Sequence, residues 1–259
     1  MHTRIVSSTF LLAMVWGFSF LASDALADTI PLTRIGLTGA ISEGGVIGNG
    51  PGQVDEFDVG RYIIVNENLV LRARAEIDNG GGPNGNVGIL HVEIGNKGIG
   101  AGSFLDDEPG SEEISGEGPN GSEIVSFLFT GDALLTNPMP VAADSVTLQV
   151  NKFKLNDDDL AVILFDVDGN VHTFAPSVVE PLLTGSSQCL DLDFALLPGI
   201  DTIAALTGFD VRSGILEDND ELSGGHFYVS SVSYTSVPEP AAFSLLALGG
   251  LALLRRRRP

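Results

Sequence analysis

The sequence predicts an all-β body, a β-sandwich in which a jelly roll is the expected topology, between a signal peptide and a short C-terminal membrane segment. Three observations indicate this fold class. Short runs rich in β-branched and aromatic residues recur along the chain, turn-forming residues separate them, and no stretch of about 12 residues combines a helical period with helix caps. We therefore expect one domain over residues 28–236.

Ten runs of the body are predicted as strands. In chain order they are residues 60–65, 69–77, 87–94, 123–130, 145–155, 161–166, 171–174, 188–196, 204–212 and 226–235. Residues 78–85 and Asp168-Gly169-Asn170 are turn signals between neighbouring runs. Residues 98–122 combine glycines with acidic side chains, a composition that buries little apolar surface, and are predicted as an acidic, Gly-rich loop.

The first 27 residues have the features of a secretory signal peptide. Arg4 supplies a short basic region, residues 5–21 are mostly apolar, and Ala25-Leu26-Ala27 provides a cleavage site before Asp28. We expect the Sec export machinery to carry the chain across the inner membrane, with cleavage after Ala27.

The last 23 residues show a different order of features. They begin with Val237, Pro238, Glu239 and Pro240, continue with an apolar segment at 241–254, and then present Arg255, Arg256, Arg257 and Arg258. The prolines keep the motif out of helical geometry, and arginines after an apolar span are typical of a stop on the cytoplasmic side. As a helix this span reaches about 21 Å, less than the ~30 Å hydrocarbon core, so it is predicted to engage the membrane only transiently.

This tail resembles a PEP-CTERM sorting signal. The resemblance implies an exported protein of a Gram-negative bacterium, whose tail is processed by an exosortase, a membrane-embedded cysteine transpeptidase. It also implies that Pro238, Glu239 and Pro240 are the recognised motif, that residues 241–254 are the membrane segment, and that the four arginines stop it in the cytoplasm. The body is then expected at the cell surface or in the extracellular matrix, after a transient stay at the inner membrane.

The charge of the body excludes one class of partner. Residues 28–236 contain 32 Asp and Glu against 8 Lys and Arg. Such a surface repels DNA, RNA and anionic lipid headgroups, so no nucleic-acid partner is expected. The acidic surface either keeps an exported protein soluble or attracts divalent cations, and both interpretations stay open.

Asp166, Asp168 and Asn170 are the candidate metal ligands, because oxygen-bearing side chains alternate around a glycine as in part of a calcium loop. The glutamate expected at the twelfth position is absent, since Ser177 stands there. The flanking runs are also predicted as strands, so a hairpin turn is the competing interpretation. The acidic runs at 156–159 and 217–221 leave the same choice between a solvated loop and calcium ligands. No other cofactor is predicted.

No catalytic residue is predicted, and the body is expected not to be an enzyme. His91, His172 and His226 have no ligand spacing, and no G-x-S-x-G elbow occurs. The only cysteine, Cys189, is expected to be a small, partly buried hydrophobe. The only tryptophan, Trp16, belongs to the signal peptide, which leaves few side chains for stacking on sugars.

The expected function is that of an exported cell-surface or extracellular-matrix protein with a non-catalytic body. Two alternatives remain, a carbohydrate-binding module that binds extracellular polysaccharide and a secreted glycan hydrolase. Residues 224–234 resemble the closing strand of exported jelly rolls, including carbohydrate-binding sandwiches. Ser230 and Ser231 stand where those domains often carry an aspartate, so the resemblance implies the fold and not a sugar or calcium site.

Overall fold

A computed structural model describes most of the body of this 259-residue chain. The described residues are 28–38, 41–42, 45–47, 53–54, 63–64, 70–78, 91–102, 114–115, 122–131, 138–153, 159–186, 189–213 and 226–235. The predicted signal peptide and the C-terminal tail lie outside them, as do the acidic runs at 156–158 and 217–221. Within the described part of the chain, no helix has the length and apolarity needed to cross a membrane.

The described chain is all-β, with one short α-helix at Pro176–Val179. The strands are β1 (Asp28–Pro31), β2 (Ile41–Ser42), β3 (Gly45–Ile47), β4 (Gln53–Val54), β5 (Ile63–Ile64), β6 (Val70–Asp78), β7 (His91–Ile94), β8 (Ile99–Gly102), β9 (Ile114–Ser115), β10 (Ser122–Thr130), β11 (Val141–Ala142), β12 (Thr147–Asn151), β13 (Leu160–Asp166), β14 (Val171–Phe174), β15 (Thr184–Ser186), β16 (Cys189–Asp193), β17 (Ala205–Ser213) and β18 (His226–Tyr234). Single 3-10 turns occur at Ala143–Ser145, Glu180–Leu182, Phe194–Leu196 and Ile200–Thr202.

The strands form two sheets. Sheet A has the order β15-β16-β12-β18-β8-β7, and β1 and β9 also pair with β18. Sheet B has the order β14-β13-β17-β10-β6-β5-β2-β3-β4, and β11 pairs with β17. Among the described strands every pair is antiparallel except β3 with β4. The last strand of the chain, β18, therefore lies between β12 and β8 in the interior of sheet A.

Alternating burial along the strands explains why these segments pair as they do. In β12, Leu148 and Val150 are buried while Thr147 and Gln149 are partly exposed. In β13 the buried side chains of Val162 and Leu164 alternate in the same way with partly exposed neighbours. Successive side chains of a strand point to opposite faces, so one face of each strand enters the core. Each fully buried side chain of this size stabilises the fold by about 1.5–3 kcal/mol.

An aromatic cluster joins the two sheets. Phe209 of β17 stacks on Phe127 of β10 with ring centroids 4.9 Å apart, and Phe194, which follows β16, meets Phe209 edge-on at 5.4 Å. Phe129 of β10 meets Tyr234 of β18 edge-on at 5.1 Å. Each such pair adds about 0.5–1.5 kcal/mol beyond the area it buries. The cluster therefore fixes the position of sheet A on sheet B.

Each of the ten predicted strand regions contains a strand, and the differences lie at strand ends. The run predicted at 145–155 is a strand only over Thr147–Asn151, because Ser145 belongs to the preceding 3-10 turn. The run predicted at 188–196 ends at Asp193, whose side-chain Oδ1 accepts the Ala195 N–H at 3.0 Å. This cap starts the 3-10 turn Phe194–Leu196. A side chain that bonds to its own backbone thus ends the strand.

The loop predicted at 98–122 differs from the structure in two places. Ile99–Gly102 is strand β8 and Ile114–Ser115 is strand β9. Ile99, Ala101 and Ile114 are fully buried, because β8 pairs with β7 and both β8 and β9 pair with β18. These strands were not predicted, because the segment as a whole is acidic and Gly-rich and contains only a few apolar residues. The very short strands β1–β4, β11 and β15 were also not predicted, because two to four residues do not display an alternating pattern.

The strand register defines two poles of the sandwich. One, the far pole, is formed by strand ends that include Asp78, Ser122, Leu160, Ser213 and His226, because Asp78 pairs with Ser122 and Leu160 with Ser213. The other, the terminal pole, includes Asp28, Ser145, Asp166, Ala205 and Thr235. Val167 N–H donates to the Ala205 carbonyl there, and Ala142 N–H to that of Thr235. Strand β18 has nine residues and spans the roughly 27 Å between the poles.

Candidate functional site

The two ends of the body meet at the terminal pole. Strand β1 begins at Asp28, directly after the predicted signal-peptide cleavage site, and pairs antiparallel with the end of β18. Asp28 lies opposite Tyr234, and Pro31 lies opposite Ser231. The hydroxyls of Thr29 and Ser233 join the two strands with a hydrogen bond of 2.9 Å. The first strand of the body is thus hydrogen-bonded to the last one.

Thr235, the residue after β18, is held by its backbone. The Ser145 Oγ accepts a hydrogen bond from the Thr235 N–H at 2.9 Å. The Ala142 N–H donates to the Thr235 carbonyl at 3.1 Å, and the Ser145 hydroxyl lies within 2.8 Å of the Ala142 carbonyl, to which it donates. Both backbone groups of Thr235 therefore have partners within the body. We call this arrangement of Ala142, Ser145 and Thr235 the exit clamp, because the predicted tail starts two residues later, at Val237.

Tyr234 anchors the same chain end in the core. Its side chain is fully buried, and its ring packs edge-on against Phe129. Burial raises the pKa of Tyr234 well above its ordinary value, and the nearby Asp28 carboxylate raises it further. The phenol is therefore neutral at physiological pH, and the chain end is fixed by a neutral aromatic side chain next to the exit clamp.

The predicted sorting and cleavage residues lie just beyond the described residues. This holds for Ala25 and Ala27 before Asp28. It also holds for the predicted motif and stop, which are Val237, Pro238, Glu239, Pro240, Arg255, Arg256, Arg257 and Arg258. What the structure describes is the position of the residues that flank them, Asp28 and Thr235, at one pole.

Comparison with known protein families assigns the tail. The family model described as the PEP-CTERM protein-sorting motif matches residues 236–258, which begin directly after the exit clamp. The chain carries a PEP-CTERM sorting motif. A motif of this kind implies export, processing of the exosortase type and association with the cell surface. No curated protein and no solved structure matches the chain.

The candidate metal ligands form a hydrogen-bonded hairpin turn between β13 and β14. Asp166 Oδ1 accepts the backbone N–H groups of Asp168 and Asn170 at 2.9 and 2.8 Å. Asp166 Oδ2 accepts the Asn170 side-chain amide at 2.8 Å and lies 2.9 Å from His172 Nε2. An ionised carboxylate has no proton to give, so His172 is the donor in this contact. Gly169 adopts a φ of 83°, as this turn requires.

These hydrogen bonds determine the chemistry of Asp166. The carboxylate is 8% exposed and both oxygens face N–H donors. The hydrogen bond from His172, followed by that from the Asn170 side chain, holds the pKa of Asp166 well below its usual range. A cation at this turn would have to displace donors that already occupy the carboxylate oxygens. In the part of the chain that the structure describes, no three His, Cys, Asp or Glu side chains are grouped closely enough to hold a metal ion.

The three histidines of the body are not brought together. His91 pairs with Gly102 and His226 with Ser115, whereas His172 lies in the hairpin turn at the terminal pole. The backbone positions of His91 and His226 are thus at the other end of the sandwich. Cys189 is partly buried, as expected, and burial, together with Asp191, raises the pKa of its thiol. A thiol that stays protonated is a poor nucleophile.

The sequence did not indicate the exit clamp or the Asp166–His172 pair as interacting groups. Ser145 and Thr235 are 90 positions apart, and neither has a neighbouring residue that marks it as special. His172 is only six positions from Asp166. A predicted hairpin whose strand register was followed across the turn would have placed the two side chains near each other. Asp28 and Tyr234 are adjacent only because of the strand order.

Proposed function

We propose that this chain is an exported protein whose C-terminal tail is removed by an exosortase-like enzyme, leaving a non-catalytic body at the cell surface or in the extracellular matrix. The observation that carries the proposal is the sorting motif at 236–258, which follows directly on Thr235, a residue hydrogen-bonded to the body. Cleavage by signal peptidase after Ala27, on the Sec export route, would leave strand β1 (Asp28–Pro31) complete, because the Ala25-Leu26-Ala27 site ends directly before it.

The strand order supports a jelly roll for the body. Sheet A contains the sequence β16-β12-β18-β8 and sheet B the sequence β14-β13-β17-β10. The chain passes from one sheet to the other between β8 and β10, β10 and β12, β12 and β13, β14 and β16, β16 and β17, and β17 and β18. Eight strands connected in this manner correspond to two interleaved Greek keys. Domains of this kind serve many functions, so the topology by itself names none.

The hydrogen bonds of Asp166 and His172 support a non-catalytic role for this pair. Asp166 and His172, a carboxylate and an imidazole in contact, are engaged in holding a hairpin turn. A catalytic base needs a free acceptor aimed at substrate, whereas both oxygens of Asp166 accept hydrogen bonds from the turn.

The test is the intact mass of the protein from its native host. We expect a chain without residues 1–27 and without the residues beyond the sorting motif, together with any group added at the new C-terminus. The triple variant Pro238→Ala, Glu239→Ala, Pro240→Ala should keep the tail and remain at the inner membrane. A mature protein that still ends with Arg255 to Arg258, or normal processing of the triple variant, would contradict the proposal.

A matched control is available within the body. Pro176, Glu180 and Pro181 are the same three residue types in the partly exposed segment after β14. Replacing all three by alanine changes the same number of prolines and carboxylates without touching the tail. We expect this control to be processed like the wild type, which ties any loss of processing to the motif.

A further inference from the structure

The exit clamp limits how far the body can move from the membrane while the tail is attached. Thr235 is the last described residue and is hydrogen-bonded to the body, and the predicted membrane segment starts at Ala241. Six residue steps reach at most about 22 Å even when fully extended. The headgroup layer of a bilayer takes up about 5–8 Å of that length. The terminal pole therefore stays within about 15 Å of the headgroups.

The same length excludes the opposite orientation. Strand β18 separates the poles by roughly 27 Å, which exceeds the reach of the linker. To place the far pole on the bilayer, residues 236–240 would have to run back along the whole body and then cross the headgroups. The tail cannot cover that distance. The far pole must therefore face away from the membrane or lie beside it.

Exposed apolar side chains distinguish the terminal pole. Among the described residues, four large hydrophobic side chains are exposed, and three of them, Val167, Val171 and Leu196, belong to segments at this pole. Val167 and Val171 flank the Asp166 hairpin turn, and Leu196 ends the 3-10 turn after β16. Ile35, the fourth, lies in the turn after β1. The pole next to the membrane tail thus offers apolar surface at its rim.

The terminal pole offers no cation to a lipid surface. The body as a whole is strongly acidic, with 32 Asp and Glu against 8 Lys and Arg in residues 28–236. At the terminal pole Asp28, Asp144, Asp168 and Asp201 are exposed, and its segments 138–147, 166–171 and 193–206 contain no lysine or arginine. The terminal pole therefore does not attract anionic lipid. Contact of the terminal pole with lipid therefore depends on the tail that holds it there.

We propose that the terminal pole is the face that the body presents to the lipid bilayer before the tail is removed, with Val167, Val171 and Leu196 toward a zwitterionic phospholipid surface. This inference rests on the proposed function, since it requires the tail to enter the membrane. In this orientation the described strand ends of the far pole, among them Ser122, Leu160 and Ser213, lie on the side away from the bilayer. Removal of the tail ends the contact, because three apolar side chains and no cation are too little to keep the body on lipid.

The test uses the chain from Asp28 to Pro259, without the predicted signal peptide and with its tail intact, reconstituted in phosphatidylcholine vesicles that contain a nitroxide on the lipid headgroup. In a Cys189→Ser background, a fluorophore is attached through Asp144→Cys at the terminal pole or through Ser186→Cys at the opposite end of the sandwich. Both positions are exposed. We expect the headgroup nitroxide to quench the label at 144 several-fold more strongly than the label at 186.

Two controls separate the possible failures. A flexible Gly/Ser insertion of about 12 residues after Thr235 adds a mean span of about 20 Å, so it should abolish the difference in quenching while the chain still sediments with the vesicles. Equal quenching at 144 and 186 in the chain without the insertion would overturn the orientation alone. A chain that does not sediment with vesicles would overturn the membrane role of the tail, and the orientation with it.

Discussion

Asp28 lies directly opposite Tyr234 in the antiparallel pair of β1 and β18, so the first residue after the predicted signal peptide adjoins the last strand before the sorting tail. β18 lies in the interior of sheet A and pairs with β12 as well as with β1. Sheet A therefore cannot be completed until the end of the body has been exported. The pairing of residues 28 and 234 is a contact of the longest range in the body, and such contacts form late and slowly.

The exit clamp predicts a local effect of Ser145→Ala. This substitution removes the oxygen that accepts the Thr235 N–H and the hydroxyl that donates to the Ala142 carbonyl. We expect a loss of about 1–2 kcal/mol in the free energy of unfolding, measured by urea denaturation of the mature protein. Amide hydrogen exchange at Thr235 should accelerate while exchange in the middle of β18 changes little.

Two variants make that prediction specific. Ser145→Thr keeps the hydroxyl and should retain most of the stability and slow exchange at Thr235. Ser230 lies in β18, and Ser230→Ala removes a hydroxyl that donates to the Gln149 carbonyl at 3.2 Å, away from the exit clamp. It should leave exchange at Thr235 unchanged. Slow exchange at Thr235 in Ser145→Ala would show that the exit clamp does not hold the chain end.

The Asp166 hairpin turn predicts a pH dependence of stability. Because hydrogen bonds from His172 and Asn170 lower the pKa of Asp166 in the folded state, the ionised carboxylate stabilises the fold at pH values above the unfolded-state pKa of about 3.9. That stabilisation is lost as the pH falls from about 4 toward the lower folded-state value. Urea midpoints of the wild type and Asp166→Asn should differ at pH 6 and converge on acidification.

The neighbouring carboxylate supplies the control for this titration. Asp168 is exposed, and Asp168→Asn removes one negative charge from the same turn while Asp166 keeps its donors. We expect its urea midpoint to follow that of the wild type across the pH range. If the urea midpoints of wild type and Asp166→Asn differed by the same amount from pH 6 to pH 2, the hydrogen bonds to Asp166 would not depend on its ionisation.

The aromatic cluster predicts a large loss of stability when its central ring is removed. Phe209 contacts Phe127, Phe129 and Phe194, so Phe209→Ala leaves a cavity between the two sheets. We expect a loss of about 3–5 kcal/mol in the free energy of unfolding. Leu196→Ala, at a side chain that is 51% exposed, should change it by less than about 0.5 kcal/mol. Comparable losses for the two variants would contradict the described packing.

Substitution of Gly98 by alanine is expected to cause a steric clash, and the same substitution at Gly199 is the control. A Cβ on Gly98 would lie 2.5 Å from the Val229 carbonyl oxygen of β18, and the residue has a φ of 154°. Gly199 also has a positive φ, 79°, but a Cβ there meets no atom within 4 Å. Gly199→Ala should therefore cost only the strain of the left-handed backbone, about 1–2 kcal/mol. Gly98→Ala should cost more, because β18 must shift, and thermal denaturation of both variants measures the difference.

Local signals in the sequence were sufficient for much of the secondary structure. Runs such as β6, β10, β13 and β17 are seven to nine residues long and each contain two or three β-branched residues among other apolar ones, so their position and type could be predicted. The Asp168-Gly169 turn was visible for the same reason. The strands β8 and β9 were not, because they are short apolar stretches inside a segment whose average composition is acidic and Gly-rich, and only pairing with β18 buries them.

The sequence by itself identified the sorting motif at 236–258 and predicted the signal peptide, because other machinery reads such signals as linear segments of the chain. It also determined that the body is all-β, since side-chain alternation is a local property. Only the tertiary structure decided that Asp28 and Thr235 share one pole, that Ser145 holds the exit of the tail, and that His172 contacts Asp166. These relationships depend on strand order and register, which arise from burial of the whole core rather than from any local pattern.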